Sequence, residues 1–172
     1  MCKNLLSKKV YDYLTWHVDE IEKEQELLFK KLYADETLES MNFEEFFNEY
    51  LNNIKDYLNT VSIGAGGKNS CPFVIIGSIV DVYDSDDMED YQYRIVLPYR
   101  NQHDTSIDCA SCLSPLGRSL LLKKEKENVS IQIPTGELHY LIKQITIPDI
   151  KTVNKLSGTI SPALGTIRNI NM

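Results

Sequence analysis

Two stretches near the N-terminus repeat apolar residues at the alternating three- and four-residue spacing of a helix. In residues 3–33 no Gly or Pro interrupts the pattern, whose positions are Leu14, Val18, Ile21, Gln25, Leu28 and Leu32. In residues 42–61 the corresponding positions are Phe43, Phe47, Tyr50, Ile54, Tyr57 and Val61. Such a repeat gives each helix one coiled-coil seam. The short connection between them predicts an antiparallel helical hairpin over residues 1–61, which we call the arm.

After residue 72 the pattern changes to the two-residue period of strands. Residues 73–97 predict two strands around the polar run 84–90. Further along, Val129, Ile131 and Ile133 alternate with polar residues, as do Leu138, Tyr140 and Ile142. The residues Pro134-Thr135-Gly136-Glu137 between these runs are typical of a turn. The pattern therefore predicts two β-hairpins and, with the arm, an α+β protein.

The remaining segments connect these elements. The Gly-rich residues 62–72 predict a flexible linker. Residues 98–113 predict an irregular connection with a short strand, and Ser114-Pro115 predicts the N-cap and first position of a short helix. Pro and Gly recur over residues 148–172, for which we expect an irregular, loosely docked tail.

The charge of the chain is concentrated in the arm. The net charge is -7, and residues 1–60 hold seven Lys/Arg against thirteen Asp/Glu. This balance argues against a general surface for nucleic acid. An acidic rod suits a basic channel, although a solvated helical face is the simpler explanation. No secretory signal or membrane-length apolar run is seen, so we expect a cytoplasmic monomer with no membrane partner.

Candidate metal ligands and bases are few. Cys109 and Cys112 have C-x-x-C spacing, and His103 is nearby, but a structural zinc needs further ligands. We therefore expect ordinary thiols and no metal of its own. His17 is either a functional base or, preferably, a packing residue of the first helix.

Three carboxylates, Asp35, Glu36 and Glu39, lie in the predicted turn between the two helices, residues 34–41. At helical spacing Glu36 and Glu39 would lie on one side. Acids are common at such turns because they favour solubility and the dipole of the following helix. The alternative is a functional tip.

Residues 73–147 resemble the C-terminal domain of the bacterial Gre transcript-cleavage factors. The resemblance rests on Ser-Pro-Leu-Gly-Arg at 114–118, on 76–84 and 91–96, and on the hairpin around Pro134-Thr135-Gly136. It implies a domain like that of FK506-binding proteins, an antiparallel sheet curled around a short helix. Leu113 stands where the family usually has Asp or Asn.

The resemblance also implies a partner, RNA polymerase. In the family this domain docks at the rim of the polymerase secondary channel, and Ser114, Pro115, Leu116 and Arg118 are the matching contact candidates. The alternative is that Ser-Pro only caps a helix and that Arg118 pairs with a local acid. Nucleic acid would be met indirectly, through the transcription complex.

Gre factors carry an acidic pair at the tip of the arm, and Glu36-Thr37-Leu38-Glu39 has the same acid-x-x-acid spacing. By resemblance, Asp35, Glu36 and Glu39 are catalytic candidates that share Mg²⁺ with the polymerase active centre. The resemblance thus implies a chain that binds no cofactor alone and acts as an accessory factor, not as an enzyme.

The length of the arm bears on whether RNA is cleaved. A second helix of 18 residues would span roughly 27 Å. That is shorter than in cleavage factors and resembles the branch of the family that binds polymerase without efficient cleavage. Stimulated cleavage and regulation without cleavage therefore both stay open. A third possibility is a peptidyl-prolyl isomerase or chaperone, which needs an aromatic-lined pocket that the 115–122 helix does not fill.

Overall fold

A computed structural model describes residues 4–98 and 106–148. The chain divides into two compact units, Met1–Asn69 and Ser70–Met172. The first is mainly helical and the second is built on one sheet, so the predicted α+β class is confirmed. Nearly all of the predicted tail, from residue 149 onward, lies outside the described residues.

The arm consists of helices α1, Lys8–Leu32, and α2, Leu38–Thr60. Both begin at side-chain caps that the hydrophobic pattern does not reveal. Ser7 Oγ accepts from Val10 N at 3.3 Å, so α1 starts five residues later than predicted. Thr37 and Ser40 form a reciprocal capping box, so α2 starts at Leu38, four residues earlier than predicted. The turn between the helices is correspondingly shorter.

The predicted seam is correct for most of its apolar positions. Phe43, Phe47, Tyr50 and Ile54 of α2 are buried. In α1, Leu14, Val18, Ile21 and Leu28 are buried, whereas Gln25 and Leu32 remain partly exposed. His17 and Glu24 are buried instead. The buried face of α1 therefore includes polar residues that the hydrophobic pattern did not predict.

The Gly-rich segment after α2 differs from the predicted flexible linker. Strand β1, Leu5–Leu6, pairs in parallel with β2, Ser62–Ile63. The next turn returns to the same segment, where Lys68 N donates to Leu5 O and Ser7 N donates to Lys68 O, at 3.0 and 3.1 Å. A Cβ on Gly67 would lie 2.3 Å from the carbonyl carbon of Leu6. Glycine here permits close backbone packing, and these bonds close the open end of the arm.

The second unit contains strands β3 (Ile79–Asp84), β4 (Glu89–Val96), β5 (Asp108–Ser111), β6 (Asn128–Ile133) and β7 (Gly136–Thr146). They form one sheet in the order β5-β4-β3-β7-β6. Both predicted hairpins are present, β3–β4 and β6–β7. The first strand begins later than predicted because residues 73–78 form a buried turn, in which Ser78 Oγ donates to Ile75 O at 2.6 Å.

The antiparallel prediction is wrong for one strand pair. β5 runs parallel to β4, and Tyr93 pairs with Asp108. A parallel neighbour cannot follow through a tight hairpin turn, and residues 97–107 separate β4 from β5. The sheet is therefore mixed.

Helix α3, Pro115–Leu120, packs against both β5 and β6, the two edge strands. A flat five-stranded sheet would separate its edges by about 19 Å, whereas a six-residue helix is only about 9 Å long. The sheet therefore curls around α3. Leu120, Ile95, Ile131 and Ile142 are fully buried and form part of this core.

Candidate functional site

The Ser-Pro-Leu-Gly-Arg stretch forms the start of α3. Ser114 is the N-cap, as predicted, and its Oγ accepts from Gly117 N at 3.0 Å. The same hydroxyl donates to Ser111 O at 2.7 Å. Ser114 is therefore bonded within its own domain, and its role in this structure is to shape the loop.

Gly117 holds the same turn against β5. A Cβ at this position would lie 1.9 Å from Ser111 O and 2.8 Å from Ser111 C, both of which are backbone atoms. No rotation of a side chain relieves such an overlap. The glycine is thus required for close packing between α3 and the end of β5.

The other residues of the stretch form its surface. Pro115 and Arg118 are exposed, and Leu116 is partly exposed. Because Ser114 and Gly117 fix the backbone, these three side chains are held at defined positions on the surface. A proline, a leucine and a guanidinium suit a protein surface that is part apolar and part acidic. Of the four predicted contact residues, these three therefore keep side-chain surface exposed to solvent.

Cys109 and Cys112 do not form a paired C-x-x-C site. Cys109 is exposed, whereas Cys112 is buried. Burial raises the pKa of the Cys112 thiol to about 12, although the charge of Arg118 lowers it. Within residues 4–98 and 106–148 no group of three His, Cys, Asp or Glu side chains could hold a metal ion. His103 lies outside these ranges.

The three predicted acids of the arm tip, Asp35, Glu36 and Glu39, are all exposed. The expectation that Glu36 and Glu39 share a helical face is wrong, because Thr37 caps α2 between them. Glu39 lies in the first turn of α2, where its charge favours the helix dipole, and Glu36 precedes the helix. Two apolar side chains, Leu38 at 73% and Met41 at 52% exposure, stand beside these acids.

His17 is a packing residue, as preferred from the sequence. Its Nε2 shares a hydrogen bond with Tyr50 Oη at 2.8 Å across the arm, and the imidazole is 1% exposed. Burial lowers the pKa of His17 to about 3. A neutral buried imidazole without solvent access cannot serve as a surface base. The partnership with Tyr50 depends on the pairing of two helices and was not predicted.

The polar run 84–90 contains the β3–β4 turn, residues 85–88, together with the strand ends on either side. Asp84 is 2% exposed, and its Oδ1 accepts from Asp86 N at 2.8 Å and from Asp87 N at 3.2 Å. These bonds satisfy the buried carboxylate and shape the turn. The hairpin interpretation is therefore supported.

Comparisons with known proteins agree with the resemblance. Residues 69–147 match the family model described as transcription elongation factor, GreA/GreB, C-terminal. The "Transcription elongation factor GreA" of Desulfovibrio desulfuricans is 36% identical over 80 residues, which cover 46% of this chain and 48% of that protein. The chain thus spans about half the length of the curated relatives it matches.

Two solved structures are similar over most of the chain. A GreA/GreB elongation factor from Nitrosomonas europaea has 18% identity and a TM-score of 0.41, covering 85% of this chain and 99% of that one. GreA factor homolog 1 of Thermus thermophilus has 22% identity and a TM-score of 0.37, covering 84% and 99%. In the part of the chain that the structure describes, no helix is long and apolar enough to span a bilayer.

Proposed function

We propose that the chain, whose residues 69–147 match the GreA/GreB C-terminal family model, belongs to the Gre family and binds bacterial RNA polymerase as a transcription elongation factor. The domain match carries this proposal, and the curated relative named above is a transcription elongation factor by name. The factor acts as an accessory protein on the polymerase and performs no reaction alone. It is a monomer that meets nucleic acid only through the transcription complex.

The docking surface is the start of α3. Ser114 and Gly117 hold the backbone, and Pro115, Leu116 and Arg118 contact the rim of the secondary channel. The exposure of Pro115 and Arg118 on a fixed loop supports this assignment. An exposed proline at the first helical position contributes contact area at little entropic cost, because its φ is already fixed.

Substitution of Pro115 tests the docking surface. We expect Pro115→Glu to weaken binding to core polymerase roughly tenfold or more, because it places a charge in the centre of the contact. Pro134→Glu, in the exposed β6–β7 turn, is the matched control and leaves binding unchanged. Equal affinities of the two variants would exclude this surface, and no affinity of the unaltered chain for polymerase would exclude the function.

The arm enters the secondary channel with its tip toward the active centre. Helix α2 has 23 residues and spans roughly 34 Å, about one and a half turns more than the pattern predicted. The argument from a short arm against cleavage is accordingly weaker. Stimulated cleavage of backtracked RNA is therefore a second candidate function.

The acids at the tip suit this second function as partial ligands. Carboxylate oxygens are ligands that Mg²⁺ prefers, and Glu36 and Glu39 with Asp35 would complete a site whose other ligands belong to the polymerase. Mg²⁺ held there would activate water and stabilise the leaving oxygen. Among the described residues, the tip acids do not belong to any group of three His, Cys, Asp or Glu that could hold a metal ion. Their exposure therefore suits a metal site shared with the polymerase better than a site formed by this chain alone.

A cleavage assay on backtracked complexes separates the two functions. If the tip is functional, Glu36→Ala with Glu39→Ala removes stimulated cleavage and leaves polymerase binding intact. Glu44→Ala with Glu45→Ala, on the exposed surface of α2, is the matched control. Unchanged cleavage in the tip variant would exclude the tip mechanism. Absence of cleavage in the unaltered chain would leave regulation without cleavage.

The isomerase alternative is less well supported. It requires an open aromatic pocket inside the curled sheet, and α3 packs between the edge strands with Leu120 and Leu121 buried. Helix α3 thus fills the space inside the curled sheet, where an isomerase would need an open pocket.

A further inference from the structure

Three tyrosines on the core face of the sheet form a cluster that the proposed function does not use. Tyr91 and Tyr93 lie on β4 and Tyr140 lies on β7, on either side of β3. Their ring centroids are 6.1 to 6.4 Å apart in all three pairs. Tyr93 Oη and Tyr140 Oη share a hydrogen bond of 3.0 Å. The rings therefore form one continuous aromatic surface, which we call the tyrosine patch.

The patch reaches the protein surface at the β3–β4 turn. Tyr140 is 4% exposed and anchors the cluster, whereas Tyr91 and Tyr93 are partly exposed. Tyr91 pairs with Val82 of β3, and Tyr140 pairs with Asp84 of the same strand, so the rings meet across β3. Partly exposed rings over a buried one form a firm, preorganised contact surface.

Two carboxylates border the exposed ring. Tyr91 Oη donates to Asp87 Oδ2 and to Glu89 Oε2, both at 3.3 Å. Partial burial and these negative charges raise the pKa of Tyr91 to about 12, so the phenol stays protonated. No Lys or Arg in the described ranges forms an ion pair with Asp87 or Glu89; the nearby pair Lys143–Asp90 leaves both unneutralised.

An aromatic face with uncompensated carboxylates at its edge attracts a cation. The negative face of each ring and the two acids act in the same direction. A guanidinium group suits this geometry better than an ammonium, because it is planar, stacks on rings and can donate to two carboxylates at once. We propose that Tyr91 and Tyr93, with Asp87 and Glu89, bind an arginine side chain presented by a basic segment of a partner protein.

This interaction is separate from the α3 surface. The patch lies on β4 and β7, and none of its residues belongs to the 114–118 loop. A factor with both surfaces would engage a partner at two points. The test below can therefore fail without affecting the proposed docking through Pro115.

The direct test is an NMR titration of the full chain with N-acetyl-arginine amide at constant ionic strength. We expect saturable shifts of the amides and ring protons of residues 89–93 and 140. N-acetyl-lysine amide should bind more weakly. Shifts that sodium chloride reproduces, or that spread over all acidic surfaces, would overturn the proposal. Tighter binding of the lysine probe would overturn the arginine assignment.

Variants separate the ring from the charge. Tyr91→Ala should weaken binding of the arginine probe roughly two- to fivefold, and Glu89→Gln should weaken it while keeping the side-chain shape. Tyr91→Phe retains the ring and should retain most of the binding, which controls for folding. Tyr83→Ala, a partly exposed tyrosine on the opposite face of β3, is the matched control. Equal loss in Tyr83→Ala and Tyr91→Ala would refute the site.

Discussion

The stability of the arm should fall below neutral pH because of one buried histidine. His17 has a pKa of about 3 in the folded arm, against 6.5 in the unfolded chain, since burial disfavours the imidazolium. The unfolded state therefore binds more protons between these values. The contribution of the neutral imidazole is fully present above pH 6.5 and is lost as the pH falls toward 3.

The size of the effect follows from the shift. A pH of 5.0 lies about 1.5 units below the pKa of the imidazole in the unfolded chain, which is therefore protonated, while the imidazole in the folded arm is still neutral. At 1.36 kcal/mol per unit, acidification from pH 7.5 to 5.0 should lower the free energy of unfolding by about 2 kcal/mol through His17 alone. Few single groups have so large an effect, because most are solvated in both states.

Urea unfolding at the two pH values measures this contribution. The chain has a single tryptophan, Trp16, next to His17 on α1, so its fluorescence reports on the arm. We expect the loss of unfolding free energy to be about 2 kcal/mol larger in the unaltered chain than in His17→Gln, which retains hydrogen-bonding groups but does not titrate. Subtracting the pH-dependent loss in His17→Gln from that in the unaltered chain removes the contribution of the carboxylates, which titrate in both proteins.

His139 provides a control of opposite sign. It is exposed, and its hydrogen bond to Asp86, at 2.8 Å, raises its pKa above the ordinary value. Its contribution is present at low pH and is lost as the pH rises through the folded pKa, so His139→Gln should not reproduce the His17 effect. Identical pH dependence in the unaltered chain and His17→Gln would refute the burial argument.

Three further substitutions test local geometry. Gly117→Ala should lower the unfolding free energy of the second unit by roughly 1–3 kcal/mol or more, measured by thermal melting, because its Cβ meets Ser111 O. Gly67→Ala should speed hydrogen exchange at the Ser7 and Lys68 amides, because it breaks the backbone hydrogen bonds that close the open end of the arm. Thr37→Ala should cost the arm about 1 kcal/mol in urea unfolding by removing the α2 cap.

Each substitution has a control nearby. Gly64→Ala meets only the flexible Leu5 side chain, at 3.2 Å, and should be milder than Gly67→Ala. Ser119→Ala on α3 and Thr15→Ala on the exposed surface of α1 remove single bonds to helix carbonyls. If these controls destabilise the protein as much as the matched substitutions, close packing and capping do not explain the effect.

The local pattern determined much of the fold. Alternation of apolar residues located β6 and β7, because one buried face of a strand requires it. Ser114-Pro115 located the start of α3, because both residues act on their own backbone. The heptad spacing indicated two paired helices, and the resemblance of residues 73–147 to Gre factors came from residues at fixed spacing along the chain. In each case the cause lies within a few residues of its effect.

The tertiary structure decided what depends on residues distant in the chain. The partnership of His17 with Tyr50, the parallel β5 and the closure of the arm by residues 62–68 all join segments that no local pattern connects. The tyrosine patch likewise assembles from β4 and β7 only because β3 lies between them. Hydrophobic periodicity specifies which face of an element is buried, but the pairing of elements decides which polar groups meet there.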